Sequence, residues 1–183
     1  MVSLDSPLSR RAFLGASGTS AALLALSRLG PAPAAGEVAA AGTALRVLSA
    51  RDARILSAVA DRLTFTGDPA MPRFADTAAL FTIDAALLQL PADVPERLSW
   101  VLLLFEYGPL FFVGRPSTFS GLTPQWQDAY LAGWADSRLA ARRIAFQALK
   151  NLAMLGYYSQ DATWAGIHYA GPWVPRPRIP MGG

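Results

Sequence analysis

The chain has 183 residues, of which 52% are hydrophobic and 16% are charged, so it is long enough for one folded domain and too apolar for a disordered chain. It has no cysteine and one histidine, His168, which excludes disulfides, thiolate metal sites, iron–sulfur clusters and attached c-type haem. The net charge is +3, but residues beyond the first thirty carry 13 basic and 12 acidic groups. That balance forms no basic stripe, and nucleic acid is not expected as a partner.

Residues 1–35 have the layout of an export signal, with a polar start, a weakly apolar stretch and small residues at 31–35. The signal residues are Arg10, Arg11, Phe13 and Leu14. An arginine pair directly before Phe-Leu resembles a twin-arginine (Tat) signal, so we expect export through the Tat translocase. A Sec signal and an uncleaved anchor are the alternatives. Because the Tat route carries folded proteins, this chain, or a protein bound to it, is expected to fold inside the cell.

The rest of the chain is predicted to be all-α, a small irregular bundle of about four to six helices, because no segment alternates with period two. Residues 36–48 are expected to be a linker and 49–156 a helical domain. Ser49, three residues before Asp52, predicts the N-cap of the first helix, and the turn residues at 66–69 end it.

A second helix is predicted over 74–90. Its inner stripe would contain Ala78, Phe81, Ala85, Leu87 and Leu88. Asp76 and Asp84 are expected to face water.

A third helix is predicted after Pro95, and Gly108-Pro109 would kink or end it. Residues 98–113 are apolar nearly all round, so this helix is expected at the centre of the core. Contact with a membrane is the alternative.

Two further helices are predicted near the end of the domain. Thr123-Pro124 would begin one, since a hydroxyl N-cap followed by proline is a typical helix start. The other would span 138–155 and stop at Gly156. The aromatic residues assigned to the core are Trp100, Phe105, Trp126 and Trp134.

Residues 157–183 form an aromatic and proline-rich tail, expected to be extended apart from one helical turn at 161–164. Large rings outside an apolar pattern favour interfaces. The predicted partner-binding residues are Tyr157, Tyr158, Trp164, Tyr169 and Trp173. Packing within the chain is the alternative.

Few groups on this chain suit chemistry. Glu106 lies in an apolar helix, and a structural ion pair with Arg138 or Arg142 is the expected arrangement. His168 is expected to be structural or at an interface, with catalysis and metal or haem contact as alternatives. No Glu-x-x-His pair and no glycine-rich phosphate loop occurs, so no catalytic, metal-binding or cofactor-binding residue is predicted.

Five short motifs, in order over roughly residues 45–175, resemble the gluconate 2-dehydrogenase subunit 3 family. They are Phe105-Glu106-Tyr107-Gly108-Pro109, Phe119-Ser120-Gly121-Leu122-Thr123, Trp134-Ala135-Asp136-Ser137-Arg138, Gly156-Tyr157-Tyr158 with Trp164, and Tyr169-Ala170-Gly171-Pro172-Trp173. The paired tyrosines, the tryptophan and the final Gly-Pro-Trp are the most specific part of the resemblance.

The resemblance implies a non-catalytic small subunit of a periplasmic, FAD-dependent sugar or alcohol dehydrogenase. The expected partner is an FAD-binding subunit of the glucose–methanol–choline (GMC) oxidoreductase type, and a c-type cytochrome subunit carrying haem often completes such complexes. The small subunit would aid folding of the flavoprotein, carry it through the Tat translocase and lie at the inner membrane through the complex. A free-standing enzyme or ligand-binding domain, and a membrane-docked structural protein, remain the alternatives.

Overall fold

The computed structural model describes residues 44–112, 114 and 116–171, and this part of the chain is all-α, as predicted. Its α-helices are α1 (Ala50–Leu63), α2 (Ala79–Leu88), α3 (Asp93–Phe112), α4 (Pro124–Ala135) and α5 (Ala140–Tyr158). Short 3₁₀ helices occur at Phe74–Asp76, Phe119–Gly121, Asp161–Thr163 and Ala165–Ile167. The signal residues Arg10, Arg11, Phe13 and Leu14, most of the predicted linker and Trp173 lie outside the described residues.

The start of α1 follows the sequence prediction. The Ser49 hydroxyl accepts a hydrogen bond from the Asp52 backbone N–H at 3.1 Å and donates one to the Asp52 carboxylate at 2.7 Å. These bonds satisfy a backbone donor that the helix itself leaves unpaired. The same carboxylate accepts from the Ser99 hydroxyl at 3.0 Å, which joins α1 to α3. The predicted turn after α1 is also confirmed, since Gly67 has a φ of +77°.

The second predicted helix is divided. A 3₁₀ turn at Phe74–Asp76 comes first, and the Thr77 hydroxyl donates to the Phe74 carbonyl and separates this turn from α2. Ala79, Ile83 and Leu87 are buried in α2, whereas Leu88 of the predicted inner stripe is exposed.

The predicted environment of Asp84 is wrong. Its side chain was expected in water and is instead 4% exposed. The carboxylate accepts backbone N–H bonds from Arg46, Val47 and Leu48 at 2.8, 2.9 and 2.7 Å. These bonds compensate the loss of hydration and fix the segment before α1 against α2. Asp76, by contrast, is exposed as predicted.

The third helix begins at Asp93 and continues through Gly108-Pro109 to Phe112, so of the two predicted outcomes, a kink or an end, the end at this pair is wrong. A proline removes the N–H that would donate to the carbonyl four residues earlier, here that of Phe105. The Tyr130 hydroxyl donates to the Phe105 carbonyl at 3.2 Å. A side chain of α4 therefore replaces the missing bond, and helical geometry persists past the proline.

The last two helices begin close to their predicted positions, with Thr123 as the N-cap of α4 and Pro124 as its first residue. The predicted stop at Gly156 is wrong, because α5 continues to Tyr158. A Cβ at Gly156 would lie 2.8 Å from the Ile83 side chain and 2.9 Å from the Ala79 carbonyl oxygen. Gly156 therefore permits a close approach of α2 and α5.

The core lies where α2 and α4 pack against α5 and where α1 packs against both α3 and α5. One part is an aromatic cluster of Phe105, Phe119, Tyr130 and Trp134, whose ring centroids around Phe105 lie 4.8 to 5.1 Å away. The prediction that Phe105 and Trp134 lie in the core is therefore confirmed. Trp100 and Trp126 do not, because both side chains are exposed.

Glu106 is buried, as expected, but its partner differs. Its carboxylate accepts hydrogen bonds from the Ser120 backbone N–H at 3.2 Å and from the Ser120 hydroxyl. These bonds replace the ion pair predicted with Arg138 or Arg142. They connect α3 to the 3₁₀ turn at Phe119–Gly121 and place Phe119 in the core.

Candidate interaction surface

The outward side of α3 carries a row of exposed apolar side chains. Trp100, Leu104, Tyr107 and Phe111 are spaced by four, three and four residues, which places them along one side of the helix. Trp100 is 67% exposed, Leu104 50% and Phe111 78%. We call these four side chains the α3 face. Contiguous apolar surface of this kind marks interaction sites, since scattered single residues would not align.

The α3 face corrects the prediction that residues 98–113 are wholly central. Leu98, Leu102 and Phe105 are buried on the inner side of the helix, as expected for a core element. The outer side nevertheless carries the four exposed apolar side chains of the α3 face. The prediction was therefore right for half of the helix circumference and wrong for the other half.

A groove of about 250 Å³ runs beside the α3 face, between α3 and α5. Its walls are mainly aliphatic, with Val101 and Leu104 on α3 and Ile144 and Ala145 on α5. We call it the α3–α5 groove. Leu104 belongs both to the groove and to the α3 face, so the two form one continuous apolar surface.

The charged groups that line the groove are both arginines, Arg97 and Arg142, and no carboxylate lines it. Arg97 lies 3.3 Å from Asp93, one helical turn earlier and outside the groove. The guanidinium of Arg142 lies over the Trp134 ring, 4.9 Å from its centroid. The groove therefore combines an apolar floor with two guanidinium groups at its edges, one of them paired with Asp93.

The Tyr130 ring packs against Trp134, which lines the groove, with the two ring centroids 5.9 Å apart. Burial raises the pKa of Tyr130 to about 12, although the side chains of Trp134 and Arg142 act in the opposite direction. Its proton is therefore retained at neutral pH and held for the hydrogen bond to Phe105. Its role is structural.

The predicted partner-binding residues of the tail fall in different environments. Tyr157 is 1% exposed, stacks on Phe74 with a centroid distance of 6.4 Å and donates to the Pro72 carbonyl. The structure therefore leaves Tyr157 no surface for a partner. Trp173 lies outside the described residues.

Tyr158, Trp164 and Tyr169 lie together at the C-terminal end of α5. The Trp164 indole N–H donates to the Tyr158 carbonyl at 2.9 Å, and the Trp164 and Tyr169 rings meet edge to face at 5.3 Å. Tyr158 and Trp164 are half-buried and Tyr169 is exposed. Partner contact stays a prediction for these three residues.

Polar side chains beyond α5 satisfy its last carbonyl groups. Ser159 and Gln160 donate to the Gly156 carbonyl at 2.8 and 2.9 Å, and Thr163 donates to the Tyr157 carbonyl at 3.2 Å. Residues 159–164 are thus a helix cap, which is why the predicted turn at 161–164 forms. His168 is exposed and has a φ of +54°, so it ends the last 3₁₀ turn.

Within residues 44–112, 114 and 116–171, no group of three or more His, Cys, Asp or Glu side chains is arranged to hold a metal ion. The helices of that same part include none with the length and apolarity needed to cross a bilayer. Comparison with family models, with curated proteins and with solved structures gives no match.

Proposed function

We propose that this chain is a non-catalytic subunit that binds an FAD-dependent dehydrogenase of the GMC type and accompanies it through the Tat translocase to the periplasm. The observation that carries the proposal is the continuous apolar surface made by the α3 face and the α3–α5 groove. Such a surface is costly to leave in water, and a protein partner is the usual reason for it.

The class of partner and the route come from the sequence. Arg10 and Arg11 before Phe-Leu fit a Tat signal, and the ordered motifs resemble the gluconate 2-dehydrogenase subunit 3 family. In that reading FAD is bound by the partner, and a c-type cytochrome subunit with haem joins some complexes. This chain would bind the folded flavoprotein before export and keep it at the inner membrane afterwards.

The test of export replaces Arg10 and Arg11 together by lysine in the native host. Because the Tat machinery requires the arginine pair, we expect both this chain and its flavoprotein to remain in the cytoplasm. Arg28→Lys is the matched control, since it makes the same exchange elsewhere in the predicted signal, and it should leave export unchanged. If the flavoprotein reaches the periplasm in the double variant, the proposal that this chain carries it through the Tat translocase is wrong.

A second candidate is a structural protein docked on a membrane surface through the α3 face. The observation in its favour is the exposed Trp100 and Tyr107, because amphipathic rings are enriched where membranes meet water. Sedimentation of the purified chain with protein-free phospholipid vesicles separates this candidate from the first. A chain that sediments with such vesicles without its flavoprotein is membrane-docked.

A further inference from the structure

We propose that the α3–α5 groove and the α3 face form one docking site for an amphipathic helix of the partner, whose apolar side chains are flanked by carboxylates. The inference rests on the proposed function, which supplies the class of partner, a flavoprotein. The shape and charge of the bound segment are inferred from the structure.

The shape of the surface favours a helix. The surface is concave along the groove and continues through Leu104 onto the α3 face, so an apolar ridge fits it better than a flat bilayer does. The four residues of the α3 face extend over eleven positions, about 16 Å of helix. A partner helix of three or more turns, with apolar residues at helical spacing, would cover that length.

The charge of the groove defines the flanks of that helix. Arg97 and Arg142 border the apolar floor, and none of the residues lining it is acidic. The rest of α5 adds Arg143 and Lys150 and has no acidic residue. A bound segment would therefore be steered and oriented by Asp or Glu beside its apolar anchors.

The same charge disfavours the other occupants. Residues 1–43 contain three arginines and two acids, and residues 172–183 contain Arg176 and Arg178 and no acid, so both segments are basic like the groove edges. A second copy of the chain would present a groove bordered by the same two arginines and no carboxylate in its lining. Like charges across an interface oppose binding, so a separate polypeptide with carboxylates is the occupant that fits.

The experiment compares co-purification of the flavoprotein with tagged full-length variants from the native host, scored by flavin absorbance and by mass-spectrometric identification. In the double variant Leu104→Glu with Phe111→Glu, we expect binding at least roughly 30-fold weaker, because two central apolar contacts are lost. Phe65→Glu is the matched control, since Phe65 is 64% exposed and lies outside the groove. It should bind like the wild type.

The charge of the bound helix is tested separately. Arg97→Glu should weaken binding roughly fivefold, and the effect should fall at high salt, because the lost attraction is electrostatic. Arg54→Glu reverses an exposed arginine away from the groove and should have no effect. A photo-crosslinker at Phe111 should attach to a flavoprotein peptide in which acidic residues flank apolar ones.

The experiment distinguishes failure of the proposed function from failure of the docking site. If the wild type captures no flavoprotein, the proposed function is wrong, and the docking site proposed for that partner is wrong as well. If the wild type captures it and the double variant does so equally well, only the docking site is wrong. Two other results also overturn the docking site. In the first, the wild-type chain sediments with anionic phospholipid vesicles and the double variant does not, although the double variant still binds the flavoprotein. In the second, the isolated chain is a homodimer that the double variant dissociates.

Discussion

The carboxylate of Asp84 is the anchor for the segment that leads into α1. It accepts three backbone N–H bonds, and both oxygens take part. In Asp84→Asn one oxygen becomes an NH₂ group that faces a backbone donor, so at least one buried N–H loses its acceptor. We expect a decrease in the free energy of unfolding of about 2–4 kcal/mol, measured by chemical denaturation.

Asp76→Asn is the matched control for that substitution, because it makes the same exchange on an exposed carboxylate of the preceding 3₁₀ turn. A change within about 0.5 kcal/mol is expected there. Equal effects of the two substitutions would contradict the anchoring role of Asp84.

Asp84 also illustrates what residue-level sequence reasoning omits. A helical pattern assigns a charged residue to water, because carboxylates are seldom fully buried. The donors that make its burial possible lie 36 to 38 positions earlier in the chain, beyond any local pattern. The cap made by Ser49 and Asp52 was predicted because its donor and acceptor are three residues apart.

Tyr130 gives a pH-dependent prediction. Its pKa is raised from 10 to about 12, so the folded state holds this proton more tightly than the unfolded state does. The resulting stabilisation is complete below pH 10 and is lost as the pH rises towards 12, by at most about 3 kcal/mol. The loss is measured as the free energy of unfolding against pH.

Tyr130→Phe separates the proton from the ring. At neutral pH it should cost about 1 kcal/mol, because the Phe105 carbonyl loses its hydrogen bond. Above pH 10 the wild type should lose up to about 3 kcal/mol and the variant less, so the two curves approach each other and then cross. An unchanged slope in Tyr130→Phe would refute this assignment.

At the scale of elements, the crossing of α2 and α5 depends on the missing side chain at Gly156. A Cβ there would meet Ile83 and the backbone of Ala79 at less than 3 Å. Gly156→Ala should therefore destabilise the fold by about 1–3 kcal/mol, although alanine is the better helix former. Thermal or chemical unfolding measures the change.

Gly133→Ala is the matched control inside α4. Nothing lies within 4 Å of its Cβ position, so the helix propensity of alanine acts alone and should stabilise by about 0.5–1 kcal/mol. The two substitutions are therefore expected to have opposite signs. A stabilising Gly156→Ala would show that the helices do not pack as closely as described.

The helices themselves were largely predictable, and their limits were less so. Caps and turns are local, and so the starts of α1 and α4 agree with the sequence. The continuation of α3 past Pro109 depends on Tyr130 from another helix, which no local rule contains. Gly156 has the composition of a helix stop, but its role is decided by the neighbouring α2.

At the scale of the whole molecule, the apolar surface was not predictable because α3 is apolar on both sides. A helix without an amphipathic stripe gives no sign of which half faces the core. The interface was predicted at the aromatic rings of the tail instead, and several of these rings pack at the C-terminal end of α5. The twin arginines and the ordered motifs indicated a partner, whereas only the packed structure indicates where it would bind.

The role proposed for the α3 face is in association and not in folding, which gives a final prediction for the isolated chain. Leu104→Glu with Phe111→Glu replaces side chains that are at least half exposed, so the free energy of unfolding should change by no more than about 1 kcal/mol. Solubility in ammonium sulfate should rise, because an apolar patch is replaced by charge.

Leu102→Ala is the contrasting variant on the buried side of the same helix. Leu102 is fully buried, so its truncation should cost about 2–4 kcal/mol and leave the solubility of the folded chain unchanged. Denaturation curves and solubility limits of the two variants separate the two sides of α3. If the glutamate variant unfolds as readily as Leu102→Ala, the outer side of α3 belongs to the core, and loss of binding in that variant would reflect loss of the fold.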